Sequence, residues 1–523
     1  MQRFRVVVAA VSFAAVVSIS ALAGAKPGDA KPKTSAAPAE LLASIAFGPP
    51  GSLQGLKSFI DAVKPGASAP LTDAELAKGI AGAAGMTSLD GFDPASGTYL
   101  LLASDAQRTA VAGRVSDAAK LTTSAGQAHV MVKGGWAAVG PKALLEQIGP
   151  YVLAQIASQP APTTPTATVY LPQLLARSQS QIQAFRTQMT TGLPGATGPM
   201  AEMMKSYVDG LLSLATDSET LVARLETAPS AAWLDLALTP RAGSRLASFV
   251  ALQHASDYAL LDRLPATAQP TMMVGGHLEL GPYREGMLSV MAAIYGPEAS
   301  KDLIAAMDGV RKAMTGDFAM TGQFAPGAGL SFTQLYGTAN AGAADKALVS
   351  LLALFKAGRT IEAAGAATTL KARPDTTTYA GATLRGYDAT SDYSKVPEAQ
   401  RQMMEAMMPS GVRHAQFAAF DALTMLVVTP DGLADAKRTI DASRGKAHYT
   451  AGGEIAGLLA GSRTRKDSVA AVFDFGTIVS MVAGAKLGDL PLLMSFGFAD
   501  RSAHIRIAVP VTTAQTLMKI AKP

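Results

Sequence analysis

The residues best suited to proton transfer or metal ligation are six histidines: His129, His254, His277, His414, His448 and His504. Imidazole titrates near neutrality and offers two ring nitrogens. No two of them stand at a metal-ligand spacing such as H-x-x-x-H. His277 and Glu279 can share a strand face, and His254 lies three residues before Asp257. A carboxylate beside an imidazole is too common an arrangement to define a site, so all six are expected at the surface or at strand edges. Serine chemistry fares no better. The stretch Gly51-Ser52-Leu53-Gln54-Gly55 lacks the G-x-S-x-G spacing, and Ser52 is expected to cap the helix after it. Ser443 and Lys446 match S-x-x-K, but they follow a helix end, Ser391-Asp392-Tyr393 precedes them, and no Lys-Thr-Gly comes after. Gly327-Ala328-Gly329 sits in an expected hairpin turn with no helix directly behind it, so it is no dinucleotide loop.

Paired carboxylates can hydrolyse glycosides. Asp388 with Asp392 and Asp90 with Asp93 are the available pairs, and both are read as loop or turn residues. Aromatic content is 6%, with two tryptophans, Trp136 and Trp233, which is little stacking surface for a sugar cleft. The methionines are locally dense: Met403, Met404, Met407 and Met408 in one stretch, Met200, Met203 and Met204 in another. Thioethers bind Cu(I) and line apolar grooves, yet neither cluster has a nearby histidine, and gap-filling in the core is the favoured role. No catalytic, cofactor-binding or metal-binding residue set is therefore assigned, and no cofactor is expected.

The elements that would position any site repeat along the chain. Five segments read as strand, turn, strand and helix: 128–148, 219–250, 317–355, 417–440 and 491–520. Lys133-Gly134-Gly135 supplies the first turn, where glycine accepts a positive φ. With an offset of 271, Leu234, Leu236 and Leu238 fall on Ile505, Ile507 and Val509, and Leu246 falls on Leu517. Alternate strand residues share a face, so these triplets mark one buried face. The intervening Trp233, Asp235, His504 and Arg506 are expected to point outward. Upstream, 167–181 resembles 470–484, and 270–291 has the same strand-then-helix shape. Strands at 41–47 and 98–103, a helix ending before Pro65 and a second capped by Thr72 with Glu75 precede these units.

Address and composition narrow the function. Residues 1–25 read as a secretory signal: Arg3 and Arg5, an apolar run, then small residues permitting cleavage near Ala23 or Ala25. Residues 26–40, rich in Pro, Lys, Ala and Ser, form a solvated tether. No later stretch carries about 18 uninterrupted apolar residues, so the mature chain is not expected to span a membrane with a helix. The chain has no cysteine, which excludes disulfides, thiolate catalysis and a lipid-modified N-terminal cysteine. Without Arg3 and Arg5, 43 basic residues face 40 acidic ones, with no dense basic run, so nucleic acid is excluded as a partner.

The stretches SDYALLDRLPATAQPTMMV (256–274) and PRAGSRLASF (240–249) carry a loose resemblance to duplicated, secreted bacterial α+β proteins of unknown function. That resemblance implies antiparallel sheets with helices and transfers no active site. The expected fold is α+β in two similar halves, 41–255 and 265–523, the second with an insertion near 298–415. Each half holds a largely antiparallel sheet covered by helices on one face. The expected protein is exported, periplasmic or extracellular, and non-enzymatic. It is read as binding a hydrophobic ligand or lipid between sheet and helices, or else as a structural or protein-interaction module of the cell envelope, with an enzyme third.

Overall fold

The segments TYLLLA, TAVAGR and WAAVG are buried almost without interruption. Unbroken burial requires cover on both faces, because successive side chains point to opposite sides. The computed structural model describes residues 37–103, 108–157, 159–191, 199–266, 270–279, 281–283, 297–325, 329–363, 366–396, 398, 401, 405, 411–474, 476–477 and 490–520. The expected signal segment, residues 26–36 of the tether and Met403, Met404, Met407 and Met408 lie outside the described residues, as do the side chains of Met200, Met203 and Met204.

Strand β1 (Leu41–Phe47) is followed by helices α1 (Gln54–Val63) and α2 (Asp73–Ala83). Next, β2 (Thr98–Ala103) and β3 (Thr109–Arg114) lead to α3 (Ala118–Ala125), and β4 (His129–Lys133) and β5 (Trp136–Gly140) lead to α4 (Lys142–Tyr151). After β6 (Thr166–Tyr170) come α5 (Leu171–Arg177), α6 (Gln179–Thr191) and α7 (Pro199–Thr216), then β7 (Ser218–Ala228), β8 (Ala231–Pro240) and α8 (Arg245–Leu252). The chain continues through β9 (Met272–His277), α9 (Pro297–Ala313), β10 (Met314–Ala325), β11 (Gly329–Thr338) and α10 (Ala341–Ala353). Strands β12 (Arg359–Ala363), β13 (Ala366–Ala372), β14 (Thr377–Tyr379), β15 (Ala382–Asp392), β16 (Gly411–Phe420) and β17 (Leu423–Thr429) precede α11 (Gly432–Ser443) and α12 (Gly453–Thr464). The last elements are β18 (Asp467–Asp474), β19 (Pro491–Gly497), β20 (Ala503–Pro510) and α13 (Val511–Ile520).

Local chemistry explains the boundaries. The Thr72 hydroxyl caps α2 by accepting the Glu75 amide at 3.1 Å. Asn340, the single asparagine, caps α10 by accepting the Ala343 amide at 2.9 Å. Gly134 and Gly135 have φ of 60° and 81°, forming the two-residue turn between β4 and β5. Ser52 does not cap α1: the helix starts at Gln54 behind Leu53, which makes no side-chain cap.

The fold is α+β, with one large, open antiparallel sheet. Strand pairings run β4-β5-β3-β2-β1-β6-β7-β8, then β20-β19-β18, then β9-β10-β11-β17-β16-β15-β13-β12, with β14 added to β15. The pairing of β8 with β20 joins residues far apart in sequence into the middle of the sheet.

Helices cover both faces, not one. On the first face, α2 and α3 pack over β2, β3 and β5 through Ile80, Leu121, Leu100 and Val111. On that same side α8 sits over Leu236, Leu238 and Ile505. The opposite face of β2, β3 and β5 is sealed by Leu144, Leu145 and Ile148 of α4. Farther along it, α11, α12 and the segment around Tyr258, Leu261 and Leu264 close over Trp233, Leu493 and Val472. The residues expected to point outward are consequently buried: Trp233, Asp235, His504 and Arg506 are all under one-tenth exposed. Apolar pattern on one face does not reveal a second cover when that cover packs on aromatic and paired charged groups. Among the described residues no helix is long and apolar enough to cross a membrane.

Candidate binding groove

Directly opposed residues of antiparallel strands share a face, so register alone traces rows across the sheet. One row runs Tyr99, Ala46, Thr166, Arg224, Asp235, Arg506, Ser495, from β2 to β19. Its first half lies in an open groove, and its second half is buried.

The groove has a volume of about 630 Å³. Its floor is β1, β6 and β7, which present Ser44, Thr166, Thr168, Thr220, Val222 and Arg224. Threonine suits this position, since its branched carbon favours a strand while its hydroxyl adds a polar group to the floor; that of Thr166 donates to the Thr164 carbonyl at 3.1 Å. The wall is the end of α4 and the residues beyond it. There Pro150 interrupts the helix, a wider turn follows over Val152–Ile156, and Tyr151, Gln155 and Ile156 face the groove. Tyr99 anchors this wall by donating its hydroxyl to the Gln159 carbonyl at 3.1 Å. Tyr151 meets Tyr170 edge-on, with centroids 6.5 Å apart. Burial pushes the phenols of Tyr99 and Tyr151 up and that of Tyr170 up to about 12. The three are thus neutral hydroxyl groups at physiological pH. Arg224 and Glu226 are exposed at the β7 side, giving the groove one charge of each sign.

Beyond Arg224 the row becomes a buried charge network. Arg506 is its hub: Nε lies 3.3 Å from Asp235 Oδ1, and Nη1 donates to Asp467 Oδ1. Asp467, wholly buried, also accepts the Ser495 hydroxyl at 2.7 Å, while its carbonyl takes the Tyr258 hydroxyl at 2.9 Å. His504 Nδ1 lies 3.0 Å from Asp235 Oδ1. The Arg465 guanidinium stacks on the Trp233 indole, 3.6 Å from its centroid. Burial pushes Asp235 upward, but the hydrogen bond and charge of His504, with Arg506 and Arg224, outweigh it and hold the carboxyl below its ordinary value. The network anchors Arg224's neighbour without supplying a nucleophile and base, since Ser495 donates to Asp467, not to His504.

Three histidines pair with aspartates, contrary to the expected surface or edge positions. His277 lies directly across from Asp317, with Nδ1 3.1 Å from Oδ1, and its ring stacks against that of His254 at 3.5 Å. His414 lies across from Asp388 at 2.8 Å, and Arg373 Nε reaches the same oxygen at 2.8 Å. Asp388 and Asp392 therefore belong to strand β15, not to a loop. His277 and His504 are buried, whereas His129, His254 and His448 are exposed. Glu279 lies past the end of β9, and the Asp257 carboxylate accepts the Ala259 amide. Asp93 caps a short helical turn through the Ala95 amide, and Asp90 accepts the Ser88 hydroxyl. Ser443 donates to the Ile440 carbonyl at 2.8 Å, while Lys446 pairs with Asp441, so the S-x-x-K match has no active geometry. Among the described residues, no group of three His, Cys, Asp or Glu is placed to hold a metal ion.

Sequence reasoning missed the groove because its lining comes from separate strands and a helix end spread between Ser44 and Glu226. A signal for the charge network did exist: Asp235 within WLDLAL and Arg506 within AHIRIAV interrupt otherwise apolar strands. The chain matches no protein-family model, no curated protein and no solved structure with which it was compared.

Proposed function

We propose that this is an exported, non-enzymatic binding protein of the cell envelope, and that its groove holds a segment of glycan. The observation that carries this reading is the groove lining: a floor of serine and threonine hydroxyls beside three neutral tyrosines and an Arg224–Glu226 pair. Sugar hydroxyls both donate and accept, as do these side chains, and Tyr151, the one of the three tyrosines that is not buried, leaves ring surface open to a sugar ring. The groove's place between sheet and helix fits the expected mode of binding, while its hydroxyl lining favours a polar ligand over lipid. Lys and Arg run nearly level with Asp and Glu in the mature sequence, in keeping with an uncharged or mixed-charge ligand.

The same reading includes an origin by duplication. Pairs Val222↔Ala237 and Arg224↔Asp235 of β7–β8 map, on adding 271, to Leu493↔Ala508 and Ser495↔Arg506 of β19–β20. Identical register in both hairpins supports common descent of the halves 41–255 and 265–523.

A glycan array probed with the purified mature protein tests the function. Wild type should bind a defined subset, and Arg224→Ala and Thr168→Val should weaken binding at least roughly tenfold, the loss of one good polar contact. Absence of glycan binding together with co-purifying lipid in native mass spectrometry would overturn the reading in favour of a lipid carrier.

A further inference from the structure

One edge of the sheet is β4, which pairs with β5 and with no other strand among the described residues. The two-residue turn Gly134-Gly135 closes on the directly opposed Lys133 and Trp136, so those two exchange backbone hydrogen bonds. The pattern then alternates along the strand. His129, Met131 and Lys133 turn their amides and carbonyls toward β5, while Val130 and Val132 turn theirs away from the sheet. These outward groups have no backbone partner among the described residues. Met131 packs on the α4 side of the sheet and Val130 on the α3 side, so the faces of β4 are covered and its edge is bare. Val132 is 56% exposed, more than any other large apolar residue described.

An open edge of this kind is a template for another strand. The sequence of β4 selects itself. Antiparallel pairing with β4 of a second copy, centred on Met131, gives all five residues of the strand a partner. Val130 of each copy then exchanges backbone hydrogen bonds with Val132 of the other, and their side chains meet on one face. Met131 faces Met131 on the opposite face, and Lys133 faces His129. The two lysines would repel if directly opposed, but this register holds them about 14 Å apart along the strands. We propose that the protein forms a two-fold dimer by joining its sheets edge to edge through β4. So short a contact sits at the weak end of specific interfaces, and dissociation in the range of about 1–100 μM is expected. The inference rests on the strand edge and is independent of the groove.

Sedimentation equilibrium of the mature protein across that range is the first test. Wild type should pass from monomer to dimer as concentration rises. Val132→Pro removes an outward amide and leaves the bonds to β5 in place, since proline is tolerated where an edge N–H faces away from the sheet. It should weaken the dimer at least roughly tenfold, the loss of a pair of good hydrogen bonds. The second test uses the absence of cysteine, which lets one introduced thiol report the register. Met131→Cys should form an intermolecular disulfide under mild oxidation, because opposed residues of a non-hydrogen-bonded pair lie about 4.5 Å apart at Cα, within disulfide reach. Lys133→Cys should not. If Val132→Pro melts well below wild type, the two disulfide yields decide alone. A wild type that stays monomeric throughout, a dimer untouched by a stably folded Val132→Pro, or a disulfide yield from Lys133→Cys equal to that from Met131→Cys would overturn the inference.

Discussion

Replacing Arg506 by Met tests whether the buried row is held by charge pairing. Arg506 is 7% exposed and bridges Asp235 and Asp467, which are 4% and 0% exposed. Met keeps much of the side-chain volume but leaves two buried carboxylates short of a cation. Breaking a buried pair by removing one partner costs about 3–5 kcal/mol, against about 0–1 kcal/mol for an exposed pair. His504 remains beside Asp235, and Arg465 Nε remains 3.8 Å from Asp467, so the lower end of the range is expected. Urea unfolding followed by tryptophan fluorescence reads the loss directly, since Trp233 packs against Arg465 within the network. Hydrogen exchange at β20 amides separates local opening from global unfolding. Asp467→Asn in the Arg506→Met background should restore part of the loss, with a coupling energy of about 0.5–3 kcal/mol between the two sites. A cost below about 1 kcal/mol for Arg506→Met, or strictly additive single and double variants, would refute the argument.

Asp235 is depressed in the fold, so its contribution is fully present above the unfolded carboxylate value of about 3.9 and lost as pH falls through the folded one. Acid unfolding should therefore shift to higher pH in Asp235→Asn, and unchanged acid stability would count against the pairing. Asp217 shows the opposite sign: burial raises its carboxyl, one oxygen of which lacks a partner. Its penalty is absent while the carboxyl is protonated and sets in as pH rises through the raised value, so Asp217→Asn should raise the thermal midpoint at pH 7 and lose that advantage in acid. Gly276, with φ of 153°, has its missing Cβ position 2.1 Å from the Ser468 carbonyl oxygen. Gly276→Ala should destabilise by about 1–3 kcal/mol by forcing β9 from β18, and a thermal midpoint equal to wild type would contradict that register.

The local elements were legible because their causes are local. Alternation marks β7, β8, β19 and β20, Gly134-Gly135 marks a turn, and Thr72 marks a helix start. Misreadings arose where burial depends on distant chain. Asp388 looks like a loop residue until His414 is placed opposite it across β15 and β16. Asp235 and Arg506 look solvent-facing until α12 and the Tyr258 segment are laid over them.

The sequence by itself determined the five strand–turn–strand–helix segments, that the chain has no cysteine chemistry, and that no histidine pair has metal-ligand spacing. Only the tertiary structure decided that helices cover both faces. It also brought Tyr99, Tyr151 and Tyr170, three of twelve scattered tyrosines, together in one groove. The physical reason is range. Period and capping are written within a few residues, whereas strand pairing such as β8 with β20 is settled by which surfaces best exclude water once the whole chain has collapsed.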